Sequence, residues 1–494
     1  LSDLAFRRQF VLGPMACFGE HGWKSHTIGS DCVVSHHPAL QVSRGQHDSS
    51  DVVVLGRIYD PGQPELGPDE LATSLAAAAN NDVALRKAVF PLVGRFALVA
   101  NMDGRIKVLH DALGLRTLYY CQVEDQAWCA SQPPLLAEVA GLELDTDSEM
   151  LRFSRSEHFL RRESAWIGRR TLHRDCHHLP PNHWLDWPSL SVERFYPYQP
   201  LGPGKLDQVI PEVARILRAT MKAFRSRDEL LIALTGGVDS RLIAAACQGL
   251  DGIDFYIDRM GKLEPHHTDL VIGGKVAEIL QRPYEIRNSL DLPTEIAETM
   301  RANVMLPRSL PKHRLIEGHR QATGGRLPIN GNGAEVFRSF YDKRGRVSEK
   351  SVTGSWLAAR QGYAGDKFAE EQAGKVIRAL KPAARFGFHL LDLAYWEDRM
   401  GNWGTLFAAE QDVVTDEITP FSNRQLIEMM LSTPRRYRLA PKMKAFKALL
   451  DELHPGLAHL PWNPSGPSKM VWQLRGRLAG IQASLAGDKS RGGH

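Results

Sequence analysis

The segment 229–246 constrains the fold of this chain more than any other part of the sequence. An apolar run typical of a buried strand ends at Leu234, a Gly-Gly turn follows, and a helix rich in Ala, Leu and Ile comes next. Glycines let backbone N–H groups crowd around an anion, and a helix N-terminus adds partial positive charge. Thr235 and Ser240 supply hydroxyl groups, and Asp239 supplies an oxygen for a magnesium ion that bridges phosphates. The pattern favours a phosphate-binding loop over an ordinary strand–turn–helix corner, although the Gly-Lys-Ser/Thr ending of a Walker loop is missing.

The chain around this loop divides into two halves. Apolar runs at 52–55 and 95–100 and a hairpin signal at 101–104 indicate a β-rich first half. A Pro-rich stretch at 196–204 breaks all periodicity and is interpreted as a linker. Beyond it strands alternate with helices, which is typical of a parallel sheet with crossover helices. We therefore predict domains over residues 1–200 and 205–480, and a disordered tail over 481–494.

Composition excludes several classes of protein. Of the 494 residues, 43% are hydrophobic and 24% charged, which indicates a folded globular chain. The net charge of +4 does not predict a nucleic-acid partner. No window reaches the roughly 18–20 apolar residues of a membrane span, and the first thirty residues lack the layout of a secretory signal. None of the six cysteines forms a C-x-x-C pair, so we expect free thiols and a cytoplasmic protein without a membrane partner.

The segment 151–178 is dense in Arg and His. A solvated face or a contact with the linker is favoured here over a binding patch. The adjacent pairs His36-His37 and His177-His178 do not indicate a metal site, because neighbours on a strand point to opposite faces.

The loop itself resembles a known family. The run Thr-Gly-Gly-Val-Asp-Ser at 235–240 is similar to the Ser-Gly-Gly-x-Asp-Ser loop of PP-loop ATP pyrophosphatases. The second half resembles the synthetase domain of class B asparagine synthetases, β-lactam synthetases and lasso-peptide cyclases. In that family the loop holds the β- and γ-phosphates of ATP, which leave as pyrophosphate while a carboxylate becomes an acyl-adenylate. A nitrogen nucleophile then displaces AMP. The resemblance implies ATP and Mg²⁺ as cofactors.

Later motifs extend the likeness. The run Gly-Asn-Gly-Ala-Glu-Val-Phe-Arg at 331–338 resembles the family's Gly-Glu-Gly-Ala-Asp-Glu-x-Phe, with Glu335 in place of the metal-binding Asp. This implies that Asp239 and Glu335 share the magnesium ion. Asp269 stands where the family has an acidic pair, and the segment 416–423 is similar to Glu-x-Arg-x-Pro-Phe-Leu-Asp, with Ile418 replacing the Arg. The implied ATP- and pyrophosphate-binding residues are Leu234, Thr235, Gly236, Gly237, Asp239, Ser240, Arg241, Tyr256, Ile257, Gly331 and Gly333. Within this set Tyr256 and Ile257 would flank the adenine.

The resemblance also implies a catalytic lysine. In the family it lies about a dozen residues before a Leu-Pro pair, on a helix that closes over the acyl-adenylate. Counting back from His454-Pro455 puts Lys444 nearest this position, with Lys447 as the second candidate on the same helix face. The alternative is that these lysines form only a solvated basic face. Lys444, Lys447 and Glu335 are the predicted catalytic residues.

The first half resembles glutamine amidotransferase domains with an N-terminal nucleophile. The matches lie at 55–60, 111–120, 129–132 and 179–183. They imply an N-terminal αββα (Ntn-hydrolase-like) sandwich, followed by a doubly wound PP-loop sheet and a helical C-terminal part. Leu55 replaces the family's oxyanion Asn, and Arg57 replaces the Glu that reads the glutamine amine. The first cysteine of the sequence is Cys17, so we expect a retained scaffold without glutaminase activity, in which Cys17 is idle.

These features predict an amide-forming ligase that uses ATP and magnesium, in a specialised biosynthetic pathway. Asn332 occupies a position that is Glu in asparagine synthetases and Tyr in β-lactam synthetase, and an amide cannot act as a base. The expected partners are a small-molecule or peptide carboxylate and an amine; oligomerisation stays open. Asparagine synthesis from ammonia and an inactive nucleotide-binding scaffold are the alternatives. A sulphur transferase acting on tRNA is disfavoured, since that chemistry usually needs paired cysteines.

Overall fold

The computed structural model describes residues 2–308, 313–322, 324–462, 470–471 and 473–474. The tail predicted over 481–494 lies outside the described residues, as do the last residues of the domain predicted to end at 480. Among the described residues, no helix has the length and apolar character needed to cross a membrane. All six cysteines are described, and none of them forms a disulfide.

The first half is built on two antiparallel sheets. Its strands are β1 (Phe10–Gly13), β2 (Lys24–Ile28), β3 (Cys32–His36), β4 (Val42–His47), β5 (Ser50–Tyr59), β6 (Val93–Met102), β7 (Arg105–His110), β8 (Tyr119–Val123), β9 (Gln126–Ala130), β10 (His177–His178), β11 (His183–Trp187) and β12 (Val192–Arg194). Within the described residues the strand orders are β10-β8-β9-β1-β3-β2 and β12-β11-β7-β6-β5-β4. Side chains alternate between the two faces of each strand, so both faces of each sheet can be buried.

Helices cover the outer faces of these sheets. They are α1 (Pro68–Ala78), α2 (Asp82–Val89) and α3 (Pro133–Ala140); two further helices of this half are α4 (Ser148–Ser154) and α5 (Glu157–Arg161). Leu12 of β1 and Val53 of β5 belong to the core between the sheets. On the outer faces, Val54 packs in a cluster with Leu71 of α1, and Trp128 of β9 packs with Leu135 of α3. The resulting layers are helix, sheet, sheet and helix.

The second half contains a parallel sheet. Its strands are β13 (Leu230–Ala233), β14 (Ile253–Asp258), β15 (Tyr284–Arg287) and β16 (Leu327–Ile329), in the order β15-β14-β13-β16. The helices around it are α6 (Leu206–Arg225), α7 (Val238–Ala246), α8 (Thr268–Ile279), α9 (Thr294–Asn303) and α10 (His313–Ala322). The strand order reverses between β13 and β16, which opens a crevice at their carboxyl ends. The mixed α/β class and the parallel sheet are confirmed.

The rest of the second half is mainly helical. It comprises α11 (Gly354–Gln361), α12 (Lys367–Ala384), α13 (Leu390–Ala394), a π-helical segment (Tyr395–Gly404), α14 (Thr405–Gln411), α15 (Arg424–Ser432) and α16 (Lys444–Leu453). A short 3-10 turn, Ala334–Phe337, follows β16. Ile418 bridges Ile329 in a parallel sense, so the segment 416–419 lies beside β16.

One hydrophobic cluster contains residues of both halves. The rings of Tyr59 on β5 and Phe224 on α6 lie 4.7 Å apart and meet edge to face. The Pro-rich segment between the halves is docked along its length: Leu201 N donates to Phe386 O at 2.7 Å, and Gly204 N donates to Ser432 O at 3.0 Å. This segment connects the halves while packed against the second one.

Candidate functional site

The crevice at the switch point of the parallel sheet brings the two sequence motifs together. The loop after β13 and the loop after β16 meet there, although they are nearly a hundred residues apart in sequence. A Cβ atom on Gly331 would lie 3.1 Å from Cβ of Asp239, which is tighter than an ordinary contact, so the glycine allows this close approach. Gly333, two residues on, has φ +101°, which other residues rarely adopt.

The first loop is closed by its own side chains. Thr235 N donates to Ser240 Oγ at 3.1 Å, and Gly237 N donates to Thr235 Oγ1 at 3.1 Å. Gly236 N donates to Oδ1 of Asp269, also at 3.1 Å. Asp269 is therefore an anionic acceptor for a loop amide. A phosphate oxygen offers this amide the same acceptor chemistry.

Arg241 anchors the loop from behind. Its guanidinium is fully buried and donates to backbone carbonyls of Gly236 (3.3 Å), Leu460 (2.7 Å) and Pro461 (2.9 Å). Burial lowers the pKa of Arg241 to about 10. The residue ties the loop to the segment after α16. Leu234, which precedes the loop, is buried and donates from its N to Tyr256 O at 2.8 Å.

Asp239 and Glu335 lie on either side of one arginine. Arg338 Nη2 is 3.1 Å from Asp239 Oδ2 and 2.8 Å from Glu335 Oε1. The other oxygen of Asp239, Oδ1, is buried and has no hydrogen-bond partner among the described residues. Burial raises the pKa of Asp239 to about 7, with Arg338 acting against it and Glu335 adding to it. Sequence reasoning did not anticipate Arg338, because nothing in its sequence context indicates an ion pair with Asp239.

This acidic pair fits a magnesium ion. Mg²⁺ is commonly held by one or two carboxylates together with substrate phosphate oxygens, and the unpartnered Oδ1 of Asp239 is a free ligand of that kind. Among the described residues, no cluster of three or more His, Cys, Asp or Glu side chains is arranged to hold a metal without such help. Asp239 and Glu335 are the residues that would hold the ion.

The residues predicted to flank the adenine lie at the end of β14. Both Tyr256 and Ile257 are buried. The hydroxyl of Tyr256 hydrogen-bonds His319 Nε2 at 2.7 Å, and the Arg287 guanidinium lies 4.7 Å from the ring centroid. His319 and Arg287 therefore cover this ring. Contact between Tyr256 and an adenine stays a prediction.

Both candidate lysines lie on α16 with exposed side chains. Lys444 is its first residue, and its Nζ lies 5.8 Å from the ring centroid of Tyr437. The buried face of the same helix carries Phe446, which stacks on Phe337 at 5.5 Å. Phe337 ends the 3-10 turn that contains Glu335, so α16 packs directly on an element of the site. The catalytic roles of Lys444 and Lys447 stay predictions.

Glu417 is a candidate that sequence reasoning missed. It is 2% exposed, its side chain hydrogen-bonds that of Asn330, and its Oε2 has no partner among the described residues. Burial raises its pKa to about 7. The available signal was the acidic pair that begins the 416–423 motif, in which Asp416 alone matched the family acid. Asp416 instead pairs with Arg95 (2.9 Å) and Arg116 (3.1 Å) of the first half.

In the first half, the two residues that differ from the amidotransferase pattern, Leu55 and Arg57, have structural roles. Leu55 is completely buried. Arg57 Nη1 donates to Asp228 Oδ2 at 2.6 Å, so it pairs with the second half. Cys17 follows β1, and burial raises the pKa of its thiol, which keeps it protonated. The absence of glutaminase activity stays a prediction.

Comparison with known proteins gives limited information. No protein-family model and no curated protein matches this chain. Among solved structures, it is similar to the glutamine phosphoribosylpyrophosphate (PRPP) amidotransferase from B. subtilis complexed with ADP and GMP: 11% identity over 69% of this chain and 73% of that one, with a TM-score of 0.25. A structure described as the allosteric regulatory enzyme of purine biosynthesis gives 10% identity over 66% and 69% of the two chains, also at 0.25. At this TM-score the likeness supports no conclusion about the fold or the activity of this chain.

Proposed function

We propose that this protein is an ATP- and magnesium-dependent ligase that adenylates a substrate carboxylate and joins it to an amine. One observation carries the proposal: the Gly-Gly loop after β13 and the Gly331 loop after β16 meet at the switch point of a parallel sheet and bring Asp239 and Glu335 together around one guanidinium. Ligands of open parallel sheets bind at such a point. The motif likeness to asparagine synthetase domains supports this reading of the site.

The proposed reaction assigns a task to each part of the site. The amides of Gly236 and Gly237 and the hydroxyl of Ser240 bind the β- and γ-phosphates. Asp239 and Glu335 hold a magnesium ion, which supplies charge neutralisation for the leaving pyrophosphate when bound. A carboxylate oxygen of the substrate forms a bond to the α-phosphorus as pyrophosphate leaves. The amine nitrogen then bonds to the acyl carbon as AMP leaves and the amine loses a proton.

Substrate-dependent pyrophosphate release tests the proposal. The purified protein would be incubated with ATP and Mg²⁺ and a panel of amino acids, peptides and other carboxylates, each with and without an amine. The panel includes aspartate with ammonia, which tests for asparagine synthesis. We expect at least one carboxylate to stimulate release, and Asp239→Asn to reduce it about 100-fold or more, in line with the loss of one transition-state interaction. The matched control is Asp251→Asn, an exposed acid in the same half.

An inactive nucleotide-binding scaffold is the second candidate, and two contacts favour it. Arg338 already pairs with both Asp239 and Glu335, and Asp269 already accepts from a loop amide. Binding of ATP without any carboxylate-dependent pyrophosphate release would support this scaffold and contradict the ligase.

A further inference from the structure

A second cavity lies between the two halves, away from the crevice of the parallel sheet. Its volume is about 540 Å³, which suits a small organic molecule. One wall comes from the first half and includes Arg169, His178 and His183; the other comes from α12 and the π-helical segment and includes Gln372, Val376 and Leu380. The Arg- and His-rich segment 151–178 is thus not a solvated face throughout, because its C-terminal part turns inward. This inward turn depends on packing against α12, and no local sequence pattern indicates that packing.

Two buried nitrogen atoms on opposite walls of this cavity have no partner. His178 and Gln372 are each 2% exposed, and the Nε2 atom of each makes no hydrogen bond within the described residues. Native proteins satisfy nearly all buried polar groups, because an unsatisfied one is costly. Both residues line this cavity, so its walls hold hydrogen-bonding capacity that the described residues do not use.

The cavity is also lined by an arginine without a carboxylate partner among the described residues. Arg169 donates from Nη2 to the hydroxyl of Tyr120 at 2.5 Å and from Nε to His178 O at 3.3 Å, but it forms no ion pair with a carboxylate in the described part of the chain. The other arginines of the lining do have such partners: Arg170 pairs with Asp145, and Arg194 pairs with Glu397. The free charge of Arg169 therefore favours an anion.

The remaining groups are neutral or hydrogen-bonded, and they include one buried acid, Asp398, whose pKa burial raises to about 6. Burial lowers the pKa of His178 to about 3 and that of His183 to about 4, so both rings are uncharged at neutral pH. His183 Nδ1 lies 2.9 Å from Pro181 O and must donate to it, which leaves Nε2 as an acceptor. Asp398 accepts from Gly168 N at 2.8 Å and from Gln361 at 3.1 Å.

We propose that this cavity binds a small organic anion. Its carboxylate or phosphate group contacts Arg169, a neutral polar group lies between His178 and Gln372, and an apolar part packs on Val376 and Leu380. Arginine is well suited to such oxyanions because its guanidinium offers a planar fork of donors. This site is independent of the ligase proposal, since none of its lining residues belongs to the ATP crevice.

Calorimetric titration of the full chain with three probes tests the proposal. N-benzoylglycine carries a carboxylate and an amide, phenyl phosphate carries a phosphate, and N-methylbenzamide is an uncharged relative. We expect saturable binding of at least one anion, and binding of N-methylbenzamide at least about tenfold weaker, the range expected for a lost charge-assisted hydrogen bond. Tighter binding of N-benzoylglycine or of phenyl phosphate identifies the anionic group.

Three variants locate the binding. Arg169→Gln should weaken anion binding about tenfold or more. Ala379→Trp fills the cavity from an exposed position on α12 and should abolish binding without loss of fold. Arg174→Gln removes an exposed arginine outside the lining and should change nothing. The proposal is overturned if neither anion binds saturably, or if a folded Ala379→Trp variant binds as well as the wild type.

Discussion

At the scale of single residues, the site is governed by charged groups that lie in buried surroundings. Glu417 is buried with an unpartnered oxygen, and Arg338 lies between two carboxylates that would otherwise repel. Because the ordinary solvation of a carboxylate is lost on burial, a buried carboxylate carries a cost that a counter-charge, protonation or a ligand reduces. Two predictions follow from these two residues.

Replacement of Glu417 by Gln should change stability in a pH-dependent way. Burial raises the pKa of Glu417 to about 7, so the folded state holds this proton more tightly than the unfolded chain does. The wild type therefore loses free energy of unfolding as pH rises from about 4.5 to about 7. Relative to it, Glu417→Gln should be near neutral at pH 4 and more stable by about 2–3 kcal/mol at pH 8. Urea unfolding at both pH values measures this; the exposed Glu298→Gln is the control. Equal differences in free energy of unfolding at pH 4 and pH 8 would contradict this prediction.

Removal of the Arg338 charge should strengthen binding of magnesium. The guanidinium neutralises Asp239 and Glu335 and competes with a cation for them. In Arg338→Met the two carboxylates face each other without a counter-charge, so Mg²⁺ should bind about tenfold or more tightly, since a pair interaction of this kind is worth about 1.5–3 kcal/mol. Titration calorimetry with MgCl₂ alone measures the affinity, and Arg346→Met, at an exposed position, is the control. An unchanged affinity would mean that the pair is not a metal site.

At the scale of elements, two loops and one helix determine the geometry of the crevice. Both loops leave neighbouring parallel strands, and α16 packs on the turn that follows the second of them. Their geometry is set by backbone approach as much as by side-chain chemistry. A variant in one loop and variants on α16 each change one of these elements and leave the others intact.

Replacement of Gly331 by Ala should impair nucleotide binding. A Cβ there would lie 3.1 Å from Cβ of Asp239 and 3.4 Å from Ser240 N, so one loop must move away from the other. We expect destabilisation of about 1–3 kcal/mol and ATP binding weakened about tenfold. ATP affinity and thermal unfolding measure the two effects. Gly202→Ala, with no atom near the added Cβ, should change neither quantity. Normal ATP affinity in Gly331→Ala would show that the loops tolerate separation.

The lysines of α16 can be separated by paired variants. Lys444→Ala should reduce amide formation by about 100-fold or more and leave ATP affinity unchanged, because loss of a positive charge that stabilises the second transition state is commonly worth about 3–4 kcal/mol. Lys447→Ala, three residues on, is the matched control and should retain activity within a few-fold. If Lys447→Ala loses activity and Lys444→Ala retains it, the catalytic residue is Lys447, one helical turn further on. If neither variant loses activity, the catalytic lysine is not on this helix.

Sequence reasoning worked where local pattern decides the structure. The apolar run, the Gly-Gly turn and the Ala-rich segment predicted β13, the loop and α7, because hydrophobic periodicity and glycine are local signals. The expected proximity of Asp239 and Glu335 is present as well, although the resemblance rather than spacing implied it. Arg338, Glu417 and the cavity beside Arg169 were missed. Each depends on groups that only tertiary packing brings together, such as Asp239 and Arg338, about a hundred residues apart.

At the scale of the whole molecule, buried ion pairs join the two halves. Arg95 of β6 contacts Asp412 at 2.6 Å and Asp416 at 2.9 Å, and Arg116 contacts the same two carboxylates. Both arginine side chains are at most 2% exposed. Burial alone would raise the pKa of Asp416, but Arg116, Arg95 and Arg57 outweigh it and lower the pKa to about 2.

Disruption of this network should destabilise the whole chain. Asp416→Asn leaves buried arginines without one of their counter-charges, and removal of one partner from a buried pair costs about 3–5 kcal/mol. Since the folded pKa is lowered, the stability from Asp416 is present above about pH 4 and is lost as pH falls towards 2. The difference in free energy of unfolding between the variant and the wild type should therefore have its full value at pH 7 and be smaller at pH 3. Urea unfolding measures both, and the exposed Asp251→Asn should show no difference. A cost that stays constant with pH would exclude the ionic origin.

The same network of buried ion pairs limits how a chain like this can change in evolution. Arg95 and Arg116 belong to the first half, yet their counter-charges belong to the second, so a deletion that removes the first half also strands Asp412 and Asp416 without partners. A lineage that no longer needs any reaction in the first half cannot discard it in one step. At Leu55 only local packing opposes a substitution, whereas the two arginines are held in place by residues about three hundred positions away. Mutual dependence of this kind keeps both halves in one chain.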